Sequence, residues 1–116
     1  MINPDSITPK ALQSLRESDE TVVVIDVREP DEYRSLHAAG AFALPLGEVT
    51  TETVAARLAA TDYRPGAPVY FICHTGRRAT EACTKILDHY PAATVVEGGT
   101  LAWAQSGLPV RSGDEP

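Results

Sequence analysis

Val69-Tyr70-Phe71-Ile72-Cys73-His74-Thr75-Gly76-Arg77-Arg78-Ala79 is the stretch whose reading decides the fold. Val69 to Ile72 is a short apolar run of the kind that forms a buried strand. From Ala79 onward, Ala82, Cys83, Ile86, Leu87 and Tyr90 recur at helical spacing. Cys73 therefore stands between a strand end and a helix start. A thiol there faces unpaired backbone N–H groups and the positive end of the helix dipole, features that favour a thiolate and hold anions. Gly76 permits a sharp turn with its amide turned inward, and Arg77 and Arg78 add fixed positive charge for an oxyanion or a sulfur anion. We read Cys73 as a nucleophile.

Outward from this loop, strand-like and helix-like segments alternate. Thr8 caps a helix with Pro9 at its first position and Ala11, Leu12 and Leu15 on its apolar face. Thr21 to Val27 is a β-branched run that predicts a fully buried parallel strand, delivering Asp26 and Arg28 to its C-terminal end. Pro30-Asp31-Glu32 opens a short helix to about Leu36, Gly40 breaks it, and Ala41 to Leu44 predicts a short strand ended by Pro45. Thr51 to Ala60 predicts a helix, and Arg64-Pro65-Gly66 turns the chain into the Cys73 strand. Pro91 ends the loop helix, Thr94-Val95-Val96 predicts a strand, and Thr100 can cap a last helix that holds Leu101 and Trp103 and ends at Gly107. Such alternation predicts an α/β fold, a central mostly parallel sheet of about five strands with helices on both faces. Sites in such sheets lie at the carboxyl ends of strands, where Asp26, Arg28 and Cys73 all fall.

The 116 residues fit one domain, and no stretch approaches the roughly 20 apolar residues that span a bilayer. The start, Met1-Ile2-Asn3-Pro4-Asp5, has neither the basic and apolar segments of a secretory signal nor the Arg-rich start of a transit peptide. We expect a soluble, cytoplasmic protein with no membrane partner. A net charge of −6 argues against nucleic acid as a partner. Two cysteines and three scattered histidines show no paired ligand spacing, so no metal is expected. Cys83 lies on the apolar face of the loop helix and reads as a core thiol, and a structural disulfide is disfavoured in a reducing cytosol.

Asp26-Val27-Arg28-Glu29 with Glu32-Tyr33, His37-Ala38-Ala39-Gly40-Ala41, Leu44-Pro45-Leu46, the Cys73 loop, Glu97-Gly98-Gly99, Ala102-Trp103 and Gly107-Leu108-Pro109-Val110 form an ordered set over nearly the whole chain. In that order the sequence resembles the rhodanese, or single-domain sulfurtransferase, family, whose Cys-x-x-Gly-x-Arg loop it matches at Cys73, Gly76 and Arg78. The resemblance implies a rhodanese-like domain over residues 1–111; the polar tail at 112–116 is expected to fray. It also implies a ping-pong transfer without a cofactor. Cys73 takes the outer sulfur of a small sulfur-containing anion such as thiosulfate as a persulfide, and cyanide, a thiol or a protein acceptor removes it. His74, Thr75, Gly76, Arg77, Arg78 and Ala79 would bind substrate through inward backbone amides, with Arg78 inward and Arg77 at the mouth. The loop departs from the family at His74, often a basic residue, and at Ala79, often a serine, which leaves the preferred donor open.

Asp26 and Arg28 are expected to order neighbouring loops, His37 to pack in a turn and Trp103 to anchor the core. Three other functions compete with this one. A cysteine phosphatase or arsenate reductase needs Cys-x5-Arg, and Cys73 to Arg78 is one residue shorter. A non-catalytic docking module has no need of Cys73, Gly76 and Arg78 together. A sulfur relay serving a dedicated protein partner fits the sequence as well as a stand-alone enzyme does.

Overall fold

Val23, Val24, Ile25 and Val27, like Val69 to Ile72, are buried on both sides of the chain, so both segments take central positions. The computed structural model describes residues 3–116. In chain order the elements are β1 (Asp5–Ile7), α1 (Pro9–Ser18), β2 (Val24–Asp26), α2 (Pro30–Ser35), β3 (His37–Ala38), β4 (Phe42–Ala43), a 3-10 turn (Leu46–Glu48), α3 (Thr51–Ala59), β5 (Val69–Ile72), α4 (Arg77–Ile86), β6 (Ala93–Val96), α5 (Gly99–Gln105) and β7 (Val110–Arg111). Five strands form one sheet in the order β1-β6-β5-β2-β4, and every pairing in it is parallel. The expected parallel α/β architecture is what the chain adopts.

Alternation along the strands divides the core into two layers. Ile25, Phe71, Cys73 and Val95 pack with Val54 and Leu58 of α3 and with Ala82, Cys83 and Ile86 of α4. Val24, Tyr70, Ile72 and Val96 pack on the other face with Leu12 of α1 and Trp103 of α5. Trp103 is fully buried, and its indole N–H donates to Pro109 O at 2.7 Å, so the ring contributes its area without leaving a buried donor unmet.

Four features differ from the sequence reading. Asp5–Ile7 forms an edge strand on β6, and His37–Ala38 pairs antiparallel with Val110–Arg111. The ladder of β2 spans only Val24–Asp26, shorter than the Thr21 to Val27 run, although Tyr70 N still donates to Val23 O at 3.1 Å. Residues 112–115 do not fray but lie against α2. Gly113 N donates to Arg34 O at 2.8 Å, Ser112 Oγ to Ser35 O at 3.0 Å, and His37 Nε2 meets Glu115 O at 2.8 Å. The tail has no apolar anchor, so composition gives no sign of it; backbone groups and one imidazole hold it. His37 is fully buried, stacked on Tyr33 with ring centroids 3.8 Å apart.

For the site, the register is what counts. Asp26 pairs with Ile72, so β2 and β5 end side by side and Arg28 and Cys73 emerge at the same edge of the sheet.

Candidate active site

Cys73 follows directly on β5, and α4 starts four residues later at Arg77. The turn between them closes on the sulfur, for Gly76 N–H donates to Cys73 Sγ at 3.0 Å. Gly76 has φ 121°, a conformation that a side chain resists, so glycine is the residue that can turn its amide toward the thiol here. Thr80 N begins the helical ladder by donating to Gly76 O at 3.0 Å. The amides of His74, Thr75, Arg77, Arg78 and Ala79 donate to no protein acceptor among the described residues, as helix geometry requires for a first turn without a side-chain cap.

A second clamp holds the loop from behind. Thr100 N donates to Cys73 O at 2.7 Å and Leu101 N to His74 O at 3.1 Å, so the start of α5 grips both carbonyls. This approach depends on Gly99, where an added Cβ would lie 2.4 Å from Cys73 O and 2.5 Å from His74 O, at φ +59°. In the sequence Glu97-Gly98-Gly99 stands only as one motif of the family resemblance, with no contact to the Cys73 loop assigned to it. Two adjacent glycines between a buried strand and a helix are the signal that could have marked a close backbone approach.

Cys73 is 1% exposed and its chain packs in the core layer under α4, yet it lines a depression of about 410 Å³ with His74, Thr75, Arg77, Arg78 and Glu81. Cys73 thus borders open space at that mouth. His74, Thr75 and Arg77 are exposed around it, whereas the Ala79 side chain is buried in the core and offers the mouth only its amide. A larger groove of about 470 Å³, lined by Leu58, Tyr63 and Tyr90 among others, lies between α3 and the loops before β5 and β6 and contains no residue of the Cys73 loop.

Arg78 does not point free into the loop. Its Nη1 and Nη2 donate to Glu32 Oε1 and Oε2 at 2.6 and 2.9 Å, a bidentate pair that ties the first turn of α4 to the first turn of α2. Arg78 is the main reason the Glu32 carboxyl sits down at about 2, helped by the Glu29 amide and opposed by partial burial. The same pairing raises the Arg78 guanidinium. Glu32 and Arg78 lie 46 positions apart, so no local pattern in the sequence links them. Arg77 makes no ion pair among the described residues.

Asp26 and Arg28 form a buried brace. Arg28 Nε donates to Asp26 Oδ1 at 3.0 Å, Nη2 to Oδ2 at 2.9 Å and to Leu36 O at 2.6 Å, joining the end of β2 to the end of α2. Cys83 is fully buried in the core with its thiol pushed up to about 12 by burial, and neither cysteine is in a disulfide. Among the described residues no three His, Cys, Asp or Glu side chains gather as a metal site, and no helix is long and apolar enough to cross a membrane.

The sequence profile described as the rhodanese-like domain matches residues 8–106. The chain belongs to the rhodanese-like domain family. Among its relatives are an uncharacterized protein of Synechocystis, 32% identical over 90% of this chain and 54% of that protein, and a putative sulfur carrier protein of Bacillus subtilis, 35% identical over 69% of this chain and 41% of that protein. The chain thus spans about half the length of these relatives. A thiosulfate sulfurtransferase from Pseudomonas aeruginosa shares the fold with a TM-score of 0.79 at 22% identity, over 97% of this chain and 21% of that one.

Proposed function

We propose that this rhodanese-like domain is a sulfurtransferase working through a Cys73 persulfide. The Cys73 thiolate attacks the outer sulfur of a donor such as thiosulfate, a bond forms from Sγ to that sulfur, and the donor's S–S bond breaks with its electron pair leaving on sulfite. An acceptor nucleophile, cyanide or a thiol, then attacks the outer sulfur and returns Cys73 to its thiolate. The observation that carries this reading is the loop itself. Its amides from His74 to Ala79 have no protein acceptors apart from the Gly76 contact with Sγ, so they can receive the negative sulfur of a persulfide in place of water. No metal or cofactor enters the scheme.

The Cys-x4-Arg loop and the commitment of Arg78 to Glu32 both weigh against a phosphatase, which needs its arginine on the phosphoryl oxygens. The same pair favours a second reading within the family. With Arg78 neutralised, Arg77 is the unpaired cation at the mouth among the described residues, a weak attraction for a dianionic donor. Sulfur delivered by a polysulfide or by a protein persulfide, with this domain as one relay in a chain, depends less on that charge. The test is sulfur transfer from thiosulfate to cyanide, and from polysulfide to cyanide, in the wild type and in Cys73→Ser. Loss of both activities in the variant supports the persulfide route, and a rate preserved in the variant contradicts it. Robust polysulfide turnover with weak thiosulfate turnover favours the relay.

A further inference from the structure

A helix leaves its last carbonyls without partners in its own ladder, and at the end of α2 four groups from outside the helix meet them. His37 Nδ1 meets Tyr33 O at 2.7 Å, Gly113 N donates to Arg34 O at 2.8 Å, Ser112 Oγ to Ser35 O at 3.0 Å and Arg28 Nη2 to Leu36 O at 2.6 Å. Two of the four donors belong to the segment 112–115, which therefore caps α2. His37 ties that segment to the helix, because its Nε2 meets Glu115 O at 2.8 Å while its Nδ1 faces Tyr33 O. A carbonyl oxygen only accepts, so each ring nitrogen has to donate. Neutral imidazole carries one N–H and serves one of these oxygens; its other nitrogen then turns a lone pair on the second oxygen at 2.7 or 2.8 Å. The imidazolium serves both, and both separations fall in the range of charge-assisted bonds. Removal from water opposes the cation, since His37 is fully buried; the face of the Tyr33 ring, parallel to the imidazole within 2°, offsets part of that cost.

The other charged groups near His37 hold one state while an imidazole titrates. At the end of β2, Asp26 and Arg28 neutralise each other; on α2, Arg34 stands 3.7 Å from Asp114 of the segment. Arg111 of β7 is the register partner of His37, and Arg16 of α1 donates to Ala39 O. Glu115 makes no ion pair among the described residues, and α5, packed against β3, has no charged residue. The Tyr33 hydroxyl, pushed up to about 12 by burial and by nearby Asp26, stays protonated. The remaining histidines lie elsewhere, His74 at the Cys73 mouth and His89 in the groove beside α3.

We propose that residues 112–115 are a proton-operated strap: with imidazolium at His37 the segment docks on α2 and caps it, and with neutral imidazole it lets go. Docking is favoured on the acid side and lost as pH rises through the imidazole range. The strap closes one end of the helix whose first turn carries Glu32, the partner of Arg78, so it acts on the element that braces the Cys73 loop. It holds whether or not Cys73 carries a persulfide.

The experiment follows the full chain, labelled with ¹⁵N, by NMR at about pH 5.5 and about pH 8.5, on either side of the imidazole range. It reads the His37 ring nitrogens and the protection of the Gly113 amide against exchange, corrected for the intrinsic effect of pH. At the lower pH both ring nitrogens should carry protons and Gly113 should be protected. At the higher pH one ring nitrogen is bare and the Gly113 protection factor falls about tenfold, the loss of one hydrogen bond to a charged group. The amide of Leu44, which donates to Asp26 O at 2.9 Å in the sheet, should keep its protection at both. Ser112→Ala removes a contact of the strap without touching the imidazole; it should lower Gly113 protection equally at the two pH values and keep the dependence. His37→Gln, neutral throughout, should give low protection at both. Equal Gly113 protection at the two pH values in the wild type, or a His37 ring with a single proton under a fully protected Gly113, would overturn the strap. So would a His37→Gln protein that keeps the pH dependence, or a parallel loss at Leu44, which marks loosening of the whole domain. Should His37→Gln not fold, the wild-type signals still decide.

Discussion

Gly99→Ala puts a methyl group where the structure has backbone. The new Cβ would sit 2.4 Å from Cys73 O, 2.5 Å from His74 O and 2.6 Å from His74 C, and none of these atoms belongs to a flexible side chain that could swing away. The loop or α5 must move, and the hydrogen bonds from Thr100 N to Cys73 O and from Leu101 N to His74 O are the first to stretch. Each is worth about 1 kcal/mol, and φ +59° adds about 1–2 kcal/mol for a residue with a side chain. A loss of about 3 kcal/mol follows, a drop in Tm on the order of 10 °C for a chain of this size. Gly107→Ala separates the two contributions, since Gly107 has φ +72° and nothing within 4 Å of the added Cβ; it should lose only about 1–2 kcal/mol. Thermal unfolding measures stability, and single-turnover sulfur loading measures the loop. Gly99→Ala should load on the order of a hundredfold more slowly, as misplacement of a nucleophile by about 1 Å implies, while Gly107→Ala loads normally. Equal Tm losses in the two variants, with normal loading in both, would refute the claim that α5 sets the position of Cys73.

Glu32→Gln should lower Tm at neutral pH by an amount worth about 1 kcal/mol, well below the raw shift of its carboxyl because the side chain is 37% exposed. The folded carboxyl lies at about 2 against an ordinary 4.5, so the stabilisation is whole above pH 4.5 and fades as pH falls toward 2; the gap between wild type and variant should close over that window, and a gap that persists at pH 2 contradicts the pairing. The same variant releases Arg78 toward the mouth and should lower KM for thiosulfate, which steady-state kinetics at low salt would register. Asp26→Ala leaves a buried Arg28 without its partner and should cost about 3–5 kcal/mol in urea unfolding; a loss under 1 kcal/mol would show the brace to be incidental. Iodoacetamide should label Cys73 alone in the native protein and both cysteines in denaturant, because Cys83 is fully buried with its thiol pushed up to about 12; native labelling at Cys83 argues against the packing of α4.

Much of the frame could be read from residues whose local pattern and final environment agree. Val69 to Ile72 is apolar without interruption because both its faces are covered, and Pro9, Thr8 and Thr51 begin helices where their chemistry predicts. The convergence of Asp26, Arg28 and Cys73 follows from parallel strands ending together. Other features have no local signature. Asp5-Ser6-Ile7 becomes a strand through its partner β6, and a two-residue strand such as His37–Ala38 is too short for alternation to register. Thr100 looks like a helix cap, yet the cap is Gly98 in the left-handed region, two residues earlier, and the Thr100 hydroxyl is buried without a hydrogen-bond partner. Spacing along one chain segment places Arg78 inward but says nothing of a carboxylate on another helix; Glu32, close only in space, decides its direction.

The central claim is that the amides around Cys73 stabilise a persulfide on that sulfur. Intact-protein mass spectrometry after incubation with thiosulfate or polysulfide tests it most directly. The account predicts a gain of one sulfur atom that maps to Cys73, reverses with a reductant or cyanide, and is missing in Cys73→Ser. An unchanged mass with every donor, or a sulfur adduct that survives the Cys73→Ser substitution, would contradict it.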